Sequence, residues 1–276
     1  RVGGPAQFWI EPSEFEQLAD SVSFCKARGI PVRIVGRGSN LLIRDGGIRG
    51  AVIHPAGGAF SAVTVEGNTI TAAVGVRFKK VASIAREHAI GGFEWMEGIP
   101  GNVGGGLRMN AGAMGVETFD QVVAVTFLDE DGEIRTRKRD EIKFYYRNVP
   151  ELRRNYALKA TFAGVPSDQK AIQDKLNESR HHRNTTQPKA ASAGCTFKNP
   201  AVCGAGQLID EMGLKETGVG KAEVSPEHGN FIVNRGKASA SDVLSLIEKI
   251  KAKAKEDRGV VLEIEIQILG EDEVVF

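Results

Sequence analysis

The chain is poor in cysteine, has no long apolar run and carries almost no net charge, and each shortage removes a class of protein. Its three cysteines, Cys25, Cys195 and Cys203, are too few and too scattered for a disulfide framework. No histidine stands at ligand spacing from them, so neither a zinc site nor any other metal site is expected. A reducing, cytoplasmic setting is the default for such cysteine usage. No stretch approaches the roughly 18 apolar residues that mark a membrane-spanning helix, and no signal peptide is read at the start, so no membrane association is expected. The chain opens at Arg1 rather than methionine, which leaves room for an upstream segment. A formal charge of +1 argues against a nucleic-acid partner, and the run Arg135, Arg137, Lys138, Arg139 reads as the solvated end of a strand. What is present is ordinary globular composition, 41% hydrophobic and 26% charged, over 276 residues, a length that suits two domains.

Periodicity supplies the elements. Ser13 with Glu16 reads as a capping box before a helix that buries Phe15, Leu18, Ala19, Val22 and Cys25 and ends at Gly29. A short strand at Val32–Val35 leads into Gly36-Arg37-Gly38-Ser39-Asn40, an apolar run Leu41–Ile43, a turn at Asp45-Gly46-Gly47 and a strand Ala51–Ile53. A hairpin follows at Val63–Ile70, then a helix over about 78–88 and a second hairpin at Val122–Lys138 that turns at Asp131-Gly132. Gly164-Val165-Pro166-Ser167 breaks the pattern before a polar helix at about 168–182 and is the expected domain boundary. Ser239 and Asp242 start a last helix ending near Gly259, followed by a strand Val260–Leu269 whose Glu263, Glu265 and Gln267 share the polar face. Taken alone, that face reads as solvent-exposed. Strands and helices clustered in this way predict an α+β fold rather than a doubly wound sheet.

Three segments carry candidate chemistry. In Ala193-Gly194-Cys195-Thr196-Phe197-Lys198-Asn199-Pro200 a thiol follows small residues that offer little to pack around it; a reaction centre and a turn with an incidental thiol stand as equal readings. The Gly36–Asn40 loop offers backbone N–H groups to an anion but is not a dinucleotide fingerprint, because it leads into another extended run instead of a helix. The stretch Gly98-Ile99-Pro100-Gly101-Asn102-Val103-Gly104-Gly105-Gly106 with Met109-Asn110-Ala111-Gly112-Ala113-Met114-Gly115 leaves backbone bare. Close approach to a large flat or anionic ligand would account for it.

In this order and spacing, GRGSNLL, GIPGNVGG with NAGAMG, YYR, AGCTFKNP, HGNFIVN and LEIE resemble the UDP-N-acetylenolpyruvoylglucosamine reductases, flavoenzymes of bacterial cell-wall synthesis. The likeness runs from Arg1 to Gly270, and the short interval between Arg147 and Arg183 matches the branch with the shorter substrate domain. It implies a two-lobed FAD-binding domain of the vanillyl-alcohol-oxidase type at 1–164, with lobes at about 1–56 and 57–164. A smaller α+β substrate-binding domain at 165–276 would follow, its last strand contributing to the active site. The implied reaction uses NADPH and bound FAD to reduce the enolpyruvyl ether of UDP-N-acetylglucosamine enolpyruvate, in the cytoplasm, by a protein expected to be a monomer.

The same resemblance assigns residues. Cofactor contacts fall to Gly36, Arg37, Gly38, Ser39, Asn40, Leu41, Gly98, Ile99, Pro100, Gly101, Val103, Gly104, Gly105, Asn110, Ala111 and Gly112. Substrate contacts fall to Tyr146, Arg183, Lys198, Asn199 and Asn230, with Arg183 a diphosphate ligand; a packing role for Tyr146 or its neighbour Tyr145 stands beside this. The catalytic set maps to Arg147, Cys195 and Glu265. Arg147 would bind the substrate carboxylate in bidentate fashion, against the plain alternative of a surface ion pair. Glu265 would polarise the carboxyl end of the substrate or set the protonation of its neighbours. Cys195 stands where most of the family has the proton-donating serine; with a reference pKa near 8.5 a thiol is a competent donor. Two other readings remain: a different oxidoreductase of the same flavin fold, such as an oxidase, and a catalytically degenerate flavin or nucleotide-sugar binding module.

Overall fold

The computed structural model describes residues 2–272. Arg1, where the resemblance begins, and residues 273–276 of the expected second domain lie outside the described residues. The chain gathers into two compact units that are discontinuous in sequence: Arg1–Phe8 with Gly38–Arg49 and Asn184–Phe276, and Trp9–Arg37 with Gly50–Arg183. This partition by packing differs from a linear boundary at Gly164. The polar helix, Gln169–Thr186, buries Ile172 and Leu176 in the core of the larger unit, so the chain keeps packing there well past Gly164. No helix among the described residues is long and apolar enough to cross a membrane.

The larger unit is built on an antiparallel sheet in the order Ile134–Lys138, Val122–Leu128, Tyr156–Ala163, Thr69–Ala73, Val63–Glu66. Both predicted hairpins are present. Alternation decides its faces: Ile70, Val125, Phe127, Leu158, Ala160 and Phe162 are buried, whereas Ile134–Lys138 is exposed along its length and pairs Arg137 with Glu151 at 2.9 Å. Helix Phe78–Glu87 presents Phe78, Val81, Ala82 and Ala85 to this core. Helix Phe15–Ala27 buries Leu18 and Cys25, but its start is shifted from the expected Ser13–Glu16 box. The Gln17 amide oxygen accepts instead from Ser13 N (2.8 Å) and Ser13 Oγ (3.0 Å), because Gln17 stands three residues after the true cap, Glu14.

The smaller unit holds a four-stranded antiparallel sheet, Ser192–Cys195, Phe231–Asn234, Ala222–Val224, Gly218–Val219. Helix Ala240–Arg258 packs Leu246, Ile247, Ile250 and Ala254 into its core, with the predicted Ser239–Asp242 capping box and Gly259 at φ +64° closing it. Asp45, read from sequence as part of a turn, adds a second cap by accepting from Ala240 N (2.7 Å) and Ser241 N (2.9 Å). Partial burial pushes its carboxyl up, yet these bonds outweigh that and leave it below the usual carboxylate range. The expected strand Val260–Leu269 is shorter than predicted. Only Gln267–Leu269 joins a ladder, running parallel to Leu41–Ile43, and before it a single bridge links Ile264 to Phe197.

Candidate functional site

Cys195 owes its direction to a bulge. Ser192 pairs with Val233, and a regular antiparallel strand would then set residue 194 against Phe231; here Cys195 takes that place. The extra residue is absorbed at Gly194, whose φ of +83° lies in the region glycine enters freely, so Cys195 faces the side a regular strand would give its predecessor. Cys195 is partly buried.

Beyond Cys195 the chain is clamped from both sides. Thr196 N donates to Asn230 O (2.8 Å), Glu265 N donates to Thr196 O (2.8 Å), and Lys198 N donates to Glu263 O (2.9 Å). The smaller unit thus brings Glu265 beside Cys195, with Asn40 Nδ2 donating to the Glu265 carbonyl at 3.3 Å. Glu265 is half-buried, so the polar face of this segment is not uniformly solvent-exposed. Glu263 is the exposed member, its carboxyl held below the usual range first by the hydrogen bond from Lys198 Nζ (2.8 Å) and then by that charge.

Two substrate-contact candidates turn inward in this structure. Asn230 is 2% exposed and spends its whole amide on Phe197, accepting from Phe197 N (2.8 Å) and donating to Phe197 O (2.7 Å). Asn199 Oδ1 accepts from Ala205 N (3.0 Å) at the start of helix Ala205–Glu211. Behind Asn230, the Nδ1 of His228 accepts from Asn230 N at 3.1 Å, and burial pushes His228 down, which favours the neutral ring this acceptor requires. Asn230→Ala is expected to lower stability by about 2–6 kcal/mol, since it strands a buried N–H and C=O of Phe197, each worth about 1–3 kcal/mol. Urea unfolding measures this; an unchanged midpoint would show that Phe197 finds other partners.

In the larger unit the glycine-rich stretch is not one bare loop. Residues Val103–Met109 form a helix whose first N–H groups are spent inside the protein, Val103 N on Val76 O (2.8 Å) and Gly104 N on Val74 O (3.0 Å). A Cβ on Gly106 would fall 2.1 Å from two atoms of the Phe78 ring, which is fully buried, so this glycine serves helix packing. Gly106→Ala is expected to cost about 1–3 kcal/mol through overpacking, against a helix-propensity gain of about 1 kcal/mol. A melting midpoint at or above that of the parent would contradict the clash.

Ala111 and Gly112 also serve the backbone: Ala111 O accepts from Thr118 N (2.9 Å) and Thr118 Oγ1 (2.7 Å), and Gly112 lies in a tight ladder with Glu117. Asn110 is fully buried at φ +43°; its amide donates to Glu117 Oε2 (2.7 Å) and accepts from Phe119 N (3.0 Å). Arg183 donates to the carbonyl of Gly98, and neighbouring Arg180 pairs with Glu97 at 2.9 Å, tying the Gln169–Thr186 helix to this stretch. Burial pushes the Arg183 guanidinium down from its ordinary value. Tyr146 and Tyr145 are both exposed, and the Arg147 guanidinium lies over the Tyr146 ring at 4.6 Å.

The residues present fit a polar cofactor such as FAD. Asn102 Oδ1 is buried with no protein partner, and its side chain lies 3.9 Å from where a Cβ on Gly36 would be; Gly105, three residues on from Asn102, has open space at its Cβ position. A desolvated acceptor of that kind costs about 1–3 kcal/mol unless a ligand or water donates to it. In the smaller unit, a Cβ on Gly38 would meet open space, and Ser39 and Asn40 follow it. Sequence reasoning missed Asn102, although it stands inside the quoted GNVGG, and missed Glu117, which has no motif signal of its own.

Residues 6–137 match the FAD binding domain family, and residues 187–269 match the family described as UDP-N-acetylenolpyruvoylglucosamine reductase, C-terminal domain. These matches on an α+β fold define the class: an FAD-dependent oxidoreductase. Over 274 residues the chain is 41% identical to the UDP-N-acetylenolpyruvoylglucosamine reductase of Clostridium novyi (strain NT), covering 99% of this chain and 89% of that protein. It is 40% identical over 271 residues to the reductase of the same name from Bradyrhizobium sp. (strain ORS 278), covering 98% and 88%. The crystal structure of UDP-N-acetylenolpyruvylglucosamine reductase from Thermus caldophilus matches with a TM-score of 0.83 at 34% identity, over 95% of this chain and 91% of that one. The chain belongs to the UDP-N-acetylenolpyruvoylglucosamine reductase family.

Proposed function

We propose that this protein reduces UDP-N-acetylglucosamine enolpyruvate to UDP-N-acetylmuramate, consuming NADPH and a proton, in peptidoglycan precursor synthesis. The observation that carries this reading is the likeness, along nearly the whole chain, to reductases of that name. The chemistry supplied by bound FAD is hydride transfer from NADPH to the enolpyruvyl double bond. Asn102, with the bare backbone of Gly36 and Gly105, would hold that group. Arg147 binds the substrate carboxylate and stabilises the charge that develops there. Cys195 delivers the proton from Sγ to the carbon next to the one reduced, and Glu265 sets the protonation of the groups around it. Lys198 and Arg183 supply positive charge for the diphosphate, Lys198 by exchanging its partner Glu263 for the ligand.

The domain roles follow the same reading: residues to about Gly164 serve the flavin, and the later chain serves the UDP-sugar. The substrates are soluble nucleotides, which supports a cytoplasmic setting with no membrane partner, and the formal charge of +1 supports the absence of a nucleic-acid partner. An absorbance scan of the purified protein, followed by NADPH oxidation with and without UDP-N-acetylglucosamine enolpyruvate, tests the proposal. A flavin spectrum and substrate-dependent oxidation are expected. Absence of flavin would overturn it, and oxidation indifferent to the substrate would favour an oxidase of the same fold.

A further inference from the structure

Arg147 stands in a tight turn, with Tyr145 and Asn148 paired across it and its own φ at +57°, a region costly for a residue with a side chain. The main chain therefore fixes where the arginine starts but not where its guanidinium points. Three of its contacts lie inside the larger unit and bear on that. The guanidinium lies over the Tyr146 ring, Nη1 donates to Asn110 O at 3.4 Å, and Nη1 faces Glu117 Oε1 at 3.9 Å. Glu117 is itself held, because its other oxygen accepts from the buried Asn110 amide at 2.7 Å while Asn110 Oδ1 is fixed by Phe119 N. A carboxylate anchored through a fully buried asparagine is a rigid counter-charge. At 3.9 Å it is near enough to orient the guanidinium and too far to occupy it as a close bidentate pair would.

We propose that Glu117, held by Asn110, is a positioning residue that orients Arg147 for the carboxylate of the substrate. The proposal rests on the reading of Arg147 as the carboxylate-binding group. It also explains why Asn110, whose amide is consumed inside the protein, matters to the site: its side chain sets Glu117 and its carbonyl meets Arg147 directly.

Glu117 also caps the short helix Thr118–Gln121, so its charge must be separated from its hydrogen bonding. Glu117→Gln does this, since its amide oxygen can still accept from the Asn110 amide, and its main-chain N–H can still donate to Asp120, while the charge is gone. In the flavin-loaded protein this variant is expected to keep the parent's melting midpoint, flavin absorbance and KM for NADPH. Its kcat/KM for UDP-N-acetylglucosamine enolpyruvate should fall about tenfold, the scale of a modest misplacement of a binding group. In an Arg147→Ala background the same change should lower turnover no further, because the two residues act as one unit. Glu117→Asp, which keeps the charge on a shorter arm, should retain more activity than Glu117→Gln.

Parental kinetics in Glu117→Gln alongside a defective Arg147→Ala would overturn the positioning role and leave the Arg147 reading standing. A further loss on the Arg147→Ala background, or equal losses in the Gln and Asp variants with a lowered melting midpoint, would also overturn it and assign Glu117 to capping alone. Parental turnover in Arg147→Ala itself would instead remove the reading on which the proposal rests.

Discussion

Cys195→Ala is expected to lower turnover with the enolpyruvyl substrate by about 10²–10⁴-fold, the usual contribution of a positioned general acid. Cys195→Ser should retain most of it. The serine variant keeps a donor of similar reach at the end of the same bulge, whereas alanine leaves the bulge intact and removes only the proton. Gly194 sets the direction of residue 195 through the main chain, so neither change should disturb the pairing of residue 195 with Phe231. Steady-state rates across pH check this. A thiol donor predicts activity lost as pH rises through the thiol pKa, and that limb should move to higher pH or vanish in Cys195→Ser, whose hydroxyl does not ionise in the range. Alanine activity close to that of the parent would remove Cys195 from the mechanism.

Arg147→Ala is expected to lower kcat by about 10²–10³-fold, comparable to removing one donor that stabilises developing charge in a transition state. Arg147→Lys should recover little, because an ammonium is a point charge that cannot match a carboxylate with two parallel hydrogen bonds. The αL turn sharpens the expectation: lysine would inherit the same main-chain strain at φ +57° without the planar group that lies over Tyr146. Alanine lacks those contacts too, so its melting midpoint must be compared with that of lysine to separate folding from function. Full turnover in either variant would show that the substrate carboxylate is bound elsewhere.

Much of the scaffold was legible before any coordinates. The helix over Ala240–Arg258 announced its cap, its apolar stripe and its closing glycine, because each is a local requirement met within one or two turns. The hairpins at Val63–Ala73 and Val122–Lys138 were equally plain, since alternation and a turn glycine specify them without reference to the rest of the chain. The strand after Gly259 misled for the opposite reason. Alternating Leu262, Ile264 and Ile266 states which side faces the core, but whether a ladder forms depends on a partner, and only Gln267–Leu269 has one. The glycine-rich stretch offers bare backbone in sequence; the fold shows that Gly104 and Gly106 also let a helix approach Val74 and Phe78, neighbours that no sequence window contains.

The residue types of the candidate site were visible as short motifs, and their order along the chain sufficed to recognise the family. Their division of labour was not. Asn230 and Asn110 carry motif positions that invite a ligand contact, yet their amides close on Phe197 and on Glu117 with Phe119, because a buried amide must satisfy both its donor and its acceptor. Glu117 has no motif signal in the sequence, and Asn102 has only its place inside GNVGG. By itself the sequence determined the class of fold, the elements with local signals and the family, since those depend on periodicity, caps and ordered motifs. Only the tertiary structure decided which way Cys195 faces, what holds Arg147 and which polar groups are left to a ligand, because each depends on hydrogen bonds between residues distant in the chain.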